Sequence, residues 1–459
     1  MSALMDMDIL NRYKFLVDMN ISTLPRYTSY PTEKSLRNIE NDGSFVSFLK
    51  KTGDQCDSIS LYIHIPFCRH SCFYCGCNKV VTQNRKKIRG YLYDLVSEIE
   101  RVSELLFFSK NKKMRVSQLH FGGGTPNYLT STELTYLMYK ISACFELDYS
   151  SESERSIELD LREMSAETIP LLSGLKFSRV SFGVQDLDVD VQKLVNRKTD
   201  EALLKEAVQQ CREYGISSVS FDLIYGLPRQ TPESFLKTLE KVIAMQPDRL
   251  SLFHYAHLPE RFKSQRVFKE EELPSLDDKI HILIDAISCL KHNNYCYIGI
   301  DHFAKKNDTL SIAQKKGAMQ RNFQGYSTLH SPVLIGLGAS AISEFESAYF
   351  QNSISIIDYT DRISRGILPV QKAYFLSESD KIRRYIIMQL MCYGEIQMKA
   401  IENLFQLNFK DVFSVEMKKI NDFILKGLVI FDGDFLQVTE VGRIFLRQIA
   451  SVFDQYYSS

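Results

Sequence analysis

Between residues 60 and 257 the chain alternates short runs of β-branched, aromatic and other apolar residues with longer stretches whose apolar positions recur every three or four residues. The short runs predict six strands, at 60–67, 116–122, 156–161, 179–184, 219–225 and 250–257. The longer stretches predict helices between them, among others at 88–106, 131–145, 188–195 and 201–214. Parallel strands need crossovers of this kind, and their sheet curls into a barrel or part of one, with its working face at the C-terminal ends of the strands. The expected fold is α/β, built on a partial (β/α)6 TIM-like barrel.

After Asp301 the pattern turns irregular through residues 321–337 and resumes as helices from Asp358. Between residues 380 and 454, two or three short helices precede a Gly-Leu-Val-Ile-Phe run at 427–431, an Asp-Gly turn at 432–433 and a second strand near 435–438. That order resembles a winged helix, a fold that often reads nucleic acid. This segment is not basic, however, and its hairpin carries Asp432 and Asp434, so packing or covering a substrate is the role expected of it. The expected division is an N-terminal segment at 1–55 that covers the active site, a barrel at 56–345, and a small, mainly helical, winged-helix-like C-terminal domain at 346–459.

The polar exceptions to the strand pattern gather at one end of the expected barrel. Four cysteines crowd residues 68–77 after the first strand, and Gly122-Gly123-Gly124-Thr125-Pro126 follows the second. Glu158, Gln185 and Asp222 interrupt or end strands three to five. A carboxylate buried in a strand costs several kcal/mol unless it is paired or bound to something. These five features therefore read as one site.

Composition narrows the setting. With 459 residues and 44% apolar side chains, the chain buries at least one large core. Lys plus Arg and Asp plus Glu both number 56, so no net field draws the molecule to nucleic acid or an anionic membrane. The first residues mix acids with apolar side chains where a signal peptide needs a basic stretch before a greasy one, and no run of 18 apolar residues appears. A cytoplasmic protein is expected. Ten cysteines are too few for a disulfide scaffold in a chain of this length, and their crowding points to metal in a reducing compartment.

Cys68, Cys72 and Cys75 stand at C-x3-C-x2-C spacing in a loop leaving a buried strand. Thiolates suit zinc or iron-sulfur clusters. A structural zinc site takes four closed ligands, usually two separated pairs, and no second pair is present, although Cys77 or His70 is a possible fourth ligand. Three thiolates on a four-iron cluster leave one iron open to bind a small molecule and pass it an electron.

This spacing, with an aromatic residue before the third cysteine, resembles that of radical S-adenosylmethionine enzymes, and the Gly122–Pro126 run resembles their companion glycine motif. Glycines let backbone approach a ligand closely and leave its N–H groups free to meet the methionine end. Further segments extend the resemblance to the oxygen-independent coproporphyrinogen III oxidases of haem biosynthesis: Pro25-Arg26-Tyr27-Thr28-Ser29-Tyr30-Pro31-Thr32, Tyr62-Ile63-His64-Ile65-Pro66-Phe67-Cys68, Gly183-Val184-Gln185-Asp186, Leu194-Val195-Asn196-Arg197, Asp222-Leu223-Ile224-Tyr225-Gly226-Leu227-Pro228, Tyr255-Ala256-His257-Leu258-Pro259 and Arg321-Asn322-Phe323-Gln324-Gly325-Tyr326. Two departures stand out. Tyr74 occupies a position where the family commonly has Phe, and Leu161 one where Pro is expected.

The resemblance implies a [4Fe-4S] cluster on Cys68, Cys72 and Cys75, and two S-adenosylmethionine molecules side by side. The first would contact Tyr62, Tyr74, Gly123, Glu158 and Ile342. The second would contact Gly124, Thr125, Gln185, Arg197, Asp222 and Ala256. Carboxylates of this kind accept from ribose hydroxyls, and an arginine pairs with a carboxylate or with a neighbouring acid. Cys77 belongs to the motif without ligating the cluster, which implies a catalytic part in moving a proton or radical near the substrate.

The implied reaction turns two propionates of coproporphyrinogen III into vinyl groups, with a flavodoxin-like or ferredoxin-like electron donor and a separate electron acceptor. Arg26, Arg162 and Arg321 are candidates for the substrate's four carboxylates. No nucleic acid or membrane partner is expected, and a monomer is. A related haem chaperone and other haem-linked radical enzymes are the alternative readings.

Overall fold

A computed structural model describes residues 24–107, 112–150, 152–328 and 331–457. All six expected strands form, as β1 (Ser58–Ile65), β2 (Arg115–Gly123), β3 (Glu154–Leu159), β4 (Arg179–Gln185), β5 (Ser218–Tyr225) and β6 (Arg249–His254). Each pairs in parallel with the next. β1 stops at Ile65 because Pro66 has no amide for the ladder. β3 stops at Leu159 rather than 161, because the Asp160 side chain accepts the Arg162 amide and turns the chain into a short 3-10 segment.

The two faces of these strands differ in chemistry. Along β1, Ile59, Leu61, Ile63 and Ile65 are all fully buried in the main apolar core, together with Ile88, Leu92, Leu95 and Ile99 of the helix Arg85–Phe107. The alternate residues face the barrel interior and bond across it: Ser60 donates to Gln118, His120 meets Ser156, and Ser181 donates to Asp222. Toward the lower end Glu154 accepts from Arg179 and Gln118. This polar inner stripe is why carboxylates interrupt runs that otherwise read as buried strand.

The sheet extends beyond these six where the sequence reads as irregular. β7 (Tyr295–Gly299) and β8 (His302–Lys305) form a hairpin on the outer edge of β6. β9 (Leu334–Leu337) returns beside β1 in parallel, making a seventh parallel strand. β10 (Ile342–Glu344), β11 (Ala348–Asn352) and β12 (Val370–Phe375) continue antiparallel, with Arg37–Asn38 at the far edge. The sheet therefore runs past residue 345, and the mainly helical C-terminal part begins after Phe375.

That part has its own core and the expected winged-helix-like order, with Glu395–Gln397 added as a third strand beside Val429–Phe431 and Phe435–Val438. Tyr27 and Tyr30 of the N-terminal segment are buried in this second core. Tyr27 donates to Asp454 at 3.0 Å, and the Tyr30 carbonyl accepts from Tyr349 of β11 at 2.8 Å. Among the described residues no helix is long and apolar enough to cross a membrane.

Candidate active site

The cysteine loop is an excursion pinned at its base. Phe67–Cys68 pairs with Val80–Val81, and the Val80 amide returns to the Pro66 carbonyl at 2.6 Å. The His64 ring spans from the Tyr62 hydroxyl at 3.0 Å to the Asn78 carbonyl at 3.2 Å, tying the far side of the loop to the barrel interior. Behind the strand, Tyr91 donates to the His64 carbonyl at 2.7 Å.

The loop borders a cleft of about 300 Å3 at the C-terminal rim. Cys68, Cys72, Tyr74, Cys75, Cys77, Gly123, Gly124, Thr125, Glu158, Gln185, Arg197 and Asp222 all line it. Of the residues expected here, Tyr62, Ala256 and Ile342 lie outside this lining. Tyr62 stands behind it, stacked on His120. Ala256 follows β6, its carbonyl accepting from Gln265, and Ile342 is paired with Gln351 at the start of β10.

The glycine run works differently from the expectation. The Gly123 amide donates to Glu158 at 3.2 Å and the Gly124 amide to the Ile65 carbonyl at 2.8 Å, so neither is free for a ligand. What glycine provides is approach: a Cβ on Gly124 would stand 3.0 Å from the Cys68 sulfur and 2.9 Å from the Pro66 carbonyl carbon. Gly183 likewise makes room, since a Cβ there would meet both Arg197 and Gln185 at 2.8 Å. Gln185 takes a left-handed backbone at φ 68°, which costs a non-glycine residue roughly 1–2 kcal/mol. The ladder is bulged at that point.

Hydrogen-bond donors surround the sulfurs. Thr125 donates to Cys68 at 3.2 Å, and Arg162 and Arg197 reach Cys72 at 3.3 and 3.8 Å. Both guanidiniums also grip Asp160, at 2.7 and 2.6 Å. Burial pushes the Asp160 carboxyl up, but the two arginines outweigh it and hold it below the usual range. Asp222 is pushed up, by burial first and by Glu158 after the Ser181 hydrogen bond that opposes it. Cys75 and Cys77 share a hydrogen bond that lowers Cys75 and raises Cys77. The extra hydroxyl of Tyr74 bonds Cys72, so it is not stranded.

These residues fit an iron-sulfur cluster. Among the described residues no three His, Cys, Asp or Glu side chains converge closely enough to chelate a single ion. The three thiols instead border one cleft, and a cubane spreads its thiolates around a body several ångströms across. Burial pushes the Cys68 thiol up to about 11, so a metal is what would hold it as thiolate.

Several neighbours were not apparent in the sequence. Asp160 sits one residue past the end of β3, and nothing in its spacing announces two arginines. Gln265 is buried in a short 3-10 helix (Lys263–Val267) with no motif, yet it donates to both the Tyr74 and Ala256 carbonyls, at 3.0 and 3.2 Å. Of the candidate substrate arginines, Arg162 is engaged with Asp160 and Cys72. Arg321 donates to the backbone carbonyls of Tyr27 and Arg26. Arg26 pairs with Asp301 and lies 4.7 Å over Phe253, a residue of the cleft wall.

A parallel barrel with three thiols, a close-packed glycine turn and polar strand ends on one rim defines a radical S-adenosylmethionine enzyme. Residues 62–242 match the model of the Radical SAM superfamily, whose members use a [4Fe-4S] cluster and S-adenosylmethionine, and residues 376–445 match the HemN C-terminal domain. The chain is 41% identical over 456 residues to the oxygen-independent coproporphyrinogen III oxidase of Pseudomonas aeruginosa, covering 99% of this chain and 96% of that protein. It is 40% identical to the enzyme of the same name from Escherichia coli over 432 residues, 94% of this chain and 93% of that protein. The solved structure of the Escherichia coli coproporphyrinogen III oxidase superposes with a TM-score of 0.90 over 94% of this chain and 98% of that one, at 39% identity. This chain belongs to the oxygen-independent coproporphyrinogen III oxidase family.

Proposed function

We propose that the chain catalyses the anaerobic oxidative decarboxylation of two propionate side chains of coproporphyrinogen III to vinyl groups, giving protoporphyrinogen IX. The observation that carries this reading is the single cleft that gathers the thiol loop, the glycine turn and the polar ends of β3, β4 and β5. When bound, the cluster supplies the electron that splits S-adenosylmethionine into methionine and a 5'-deoxyadenosyl radical.

In this reading Cys68, Cys72 and Cys75 hold the cluster. Tyr62, Tyr74, Gly123, Glu158 and Ile342 serve the first S-adenosylmethionine, and Gly124, Thr125, Gln185, Arg197, Asp222 and Ala256 the second. Glu158 and Asp222 accept from ribose hydroxyls. Arg197, already charge-paired with Asp160, steadies a methionine carboxylate. The substrate gives up a hydrogen atom from the propionate carbon next to the pyrrole, then carbon dioxide and one electron, which leaves the double bond. Cys77 handles a proton or hydrogen close to that carbon.

The N-terminal segment covers the site, the barrel carries it, and the C-terminal domain closes over its side. A flavodoxin-like or ferredoxin-like protein delivers the electron, a separate acceptor removes one, and the enzyme works as a cytoplasmic monomer. Anaerobically reconstituted, reduced protein incubated with S-adenosylmethionine and coproporphyrinogen III should release carbon dioxide and vinyl product. Tight haem binding without turnover would instead favour the chaperone reading.

A further inference from the structure

Beside the cleft, the rim between β5 and β6 carries a cluster of basic groups of which the roles above use only Arg26, as a candidate. Phe253 belongs to the cleft wall, and His254 follows it at the end of β6. His254 Nε2 is buried with no hydrogen-bond partner. It stands over the turn at Gly226, where a Cβ would lie 3.3 Å from that nitrogen and 3.7 Å from Cε of Lys279. Lys279 thus reaches the same spot from the first turn of the helix Leu276–His292.

Two further cations come from the ends of the chain. Arg26 lies over Phe253 and pairs with Asp301. Arg447, on the last helix (Leu446–Ser451), donates to the Leu24 carbonyl and so stands beside the segment that carries Arg26. The field at His254 is positive on balance. Its imidazole is pushed down to about 3, by burial first and then by Lys279, Arg447 and Arg26 in turn. Tyr225, the last residue of β5, packs edge-on against the His254 ring at 5.1 Å, and burial and then Asp301 push its hydroxyl up against the opposing pull of Arg447 and Arg26.

We infer that Lys279, Arg447, Arg26 and His254 form the subsite that binds propionate carboxylates of the tetrapyrrole and so set its orientation over the cleft. The inference rests on the substrate reading above and adds the residues that read the substrate's charge. Of the three arginines that the sequence offers, Arg26 is the one that lies over the cleft wall beside this cluster, where Asp301 holds it in place. A carboxylate placed here meets three cations from three separate elements and, from a fourth, a neutral imidazole able to present an N–H. Strongly basic partners around a half-desolvated anion give charge-assisted hydrogen bonds, which carry orientation as well as affinity.

The test uses reconstituted holoenzyme titrated anaerobically with coproporphyrin III, the oxidised and unreactive form of the tetracarboxylate, and with its tetramethyl ester, which keeps the ring and removes the charge. Lys279→Gln should weaken binding of the acid by about tenfold or more and leave the ester unaffected, while Lys279→Arg should bind the acid as the native protein does. Equal binding of the acid by native protein and Lys279→Gln would overturn the assignment while leaving the substrate reading intact, and so would equal weakening of acid and ester. If native holoenzyme binds neither compound, the substrate reading itself falls, and the assignment with it. Iron content is measured on every sample. Should Lys279→Gln load poorly, the salt dependence of native binding decides: affinity for the acid that does not fall with rising salt overturns the subsite.

Discussion

At the scale of single residues, the cleft is set by contacts too close to tolerate change. Gly124→Ala places a methyl against the Cys68 sulfur and the Pro66 backbone. Overpacking of this kind costs about 1–3 kcal/mol. The expected outcome is a folded protein with markedly lower iron and sulfide after reconstitution, checked by metal analysis beside circular dichroism. Cys77 tests the opposite case, a residue that lines the cleft and that the proposed reading leaves off the cluster. Cys77→Ser should load iron normally, keep the spectrum of the cluster and lose vinyl formation; full activity in that variant would remove Cys77 from the chemistry. Cys68, Cys72 and Cys75, the glycine run and the strand-end carboxylates were apparent in the sequence because each breaks a local pattern. The grip of Asp160 on Arg162 and Arg197 was not, since a loop far along the chain delivers Arg197 and only the folded rim brings it to Asp160.

At the scale of elements, the helix Arg85–Phe107 does more than cover β1. Its Glu98, 1% exposed, accepts from the Gly338 amide at 2.8 Å, from Tyr359 at 2.6 Å and from Asn352 at 2.6 Å. Its Tyr91 bonds both the His64 carbonyl and the Ala339 amide. The helix thus clamps the turn after β9 to the strand that feeds the thiol loop. Burial pushes Glu98 up to about 7 despite these three donors. Because the folded state then holds its proton more tightly than the unfolded chain does, stability should fall as pH rises from about 4.5 to about 7, by about 3 kcal/mol in all, and level off above. Glu98→Gln should lose that slope and be less stable throughout, because its amide nitrogen must face a donor. Denaturant midpoints of native protein and variant across this pH range check both outcomes. The strands that the sequence revealed are those whose outward face is wholly apolar and buried in the main core, so that they read as apolar runs. β9 to β12 are short, and most of their residues pair across the sheet rather than follow a period along the chain.

At the scale of the whole molecule, the N-terminal segment joins two cores. Tyr27 and Tyr30 enter the C-terminal core, while the adjoining Arg26 lies over the cleft wall and Arg321 donates to the carbonyls of both Arg26 and Tyr27. Tyr27→Phe removes the hydroxyl that donates to Asp454 and leaves a buried acceptor, at a cost of about 1–3 kcal/mol. Thermal unfolding should show the transition of the C-terminal part moving down. If the segment ties that part to the cleft, apparent affinity for the tetrapyrrole should fall in the same variant. The sequence indicated a covering segment here but not its second anchorage, since a tyrosine gives no sign of which core receives it.

The place of β9 in the sheet has a consequence for how the protein is made. β1 leads into the thiol loop and is among the first strands to be synthesised, yet one of its two neighbours, β9, pairs Leu334 with Ser60 and Leu337 with Ile63. During translation β1 therefore waits with an open edge until most of the chain has left the ribosome, and such distant pairing is slow to form. Insertion of iron and sulfide is then a late event in the life of the nascent chain, and growth temperature and chaperone supply should govern the yield of loaded enzyme as strongly as the supply of iron.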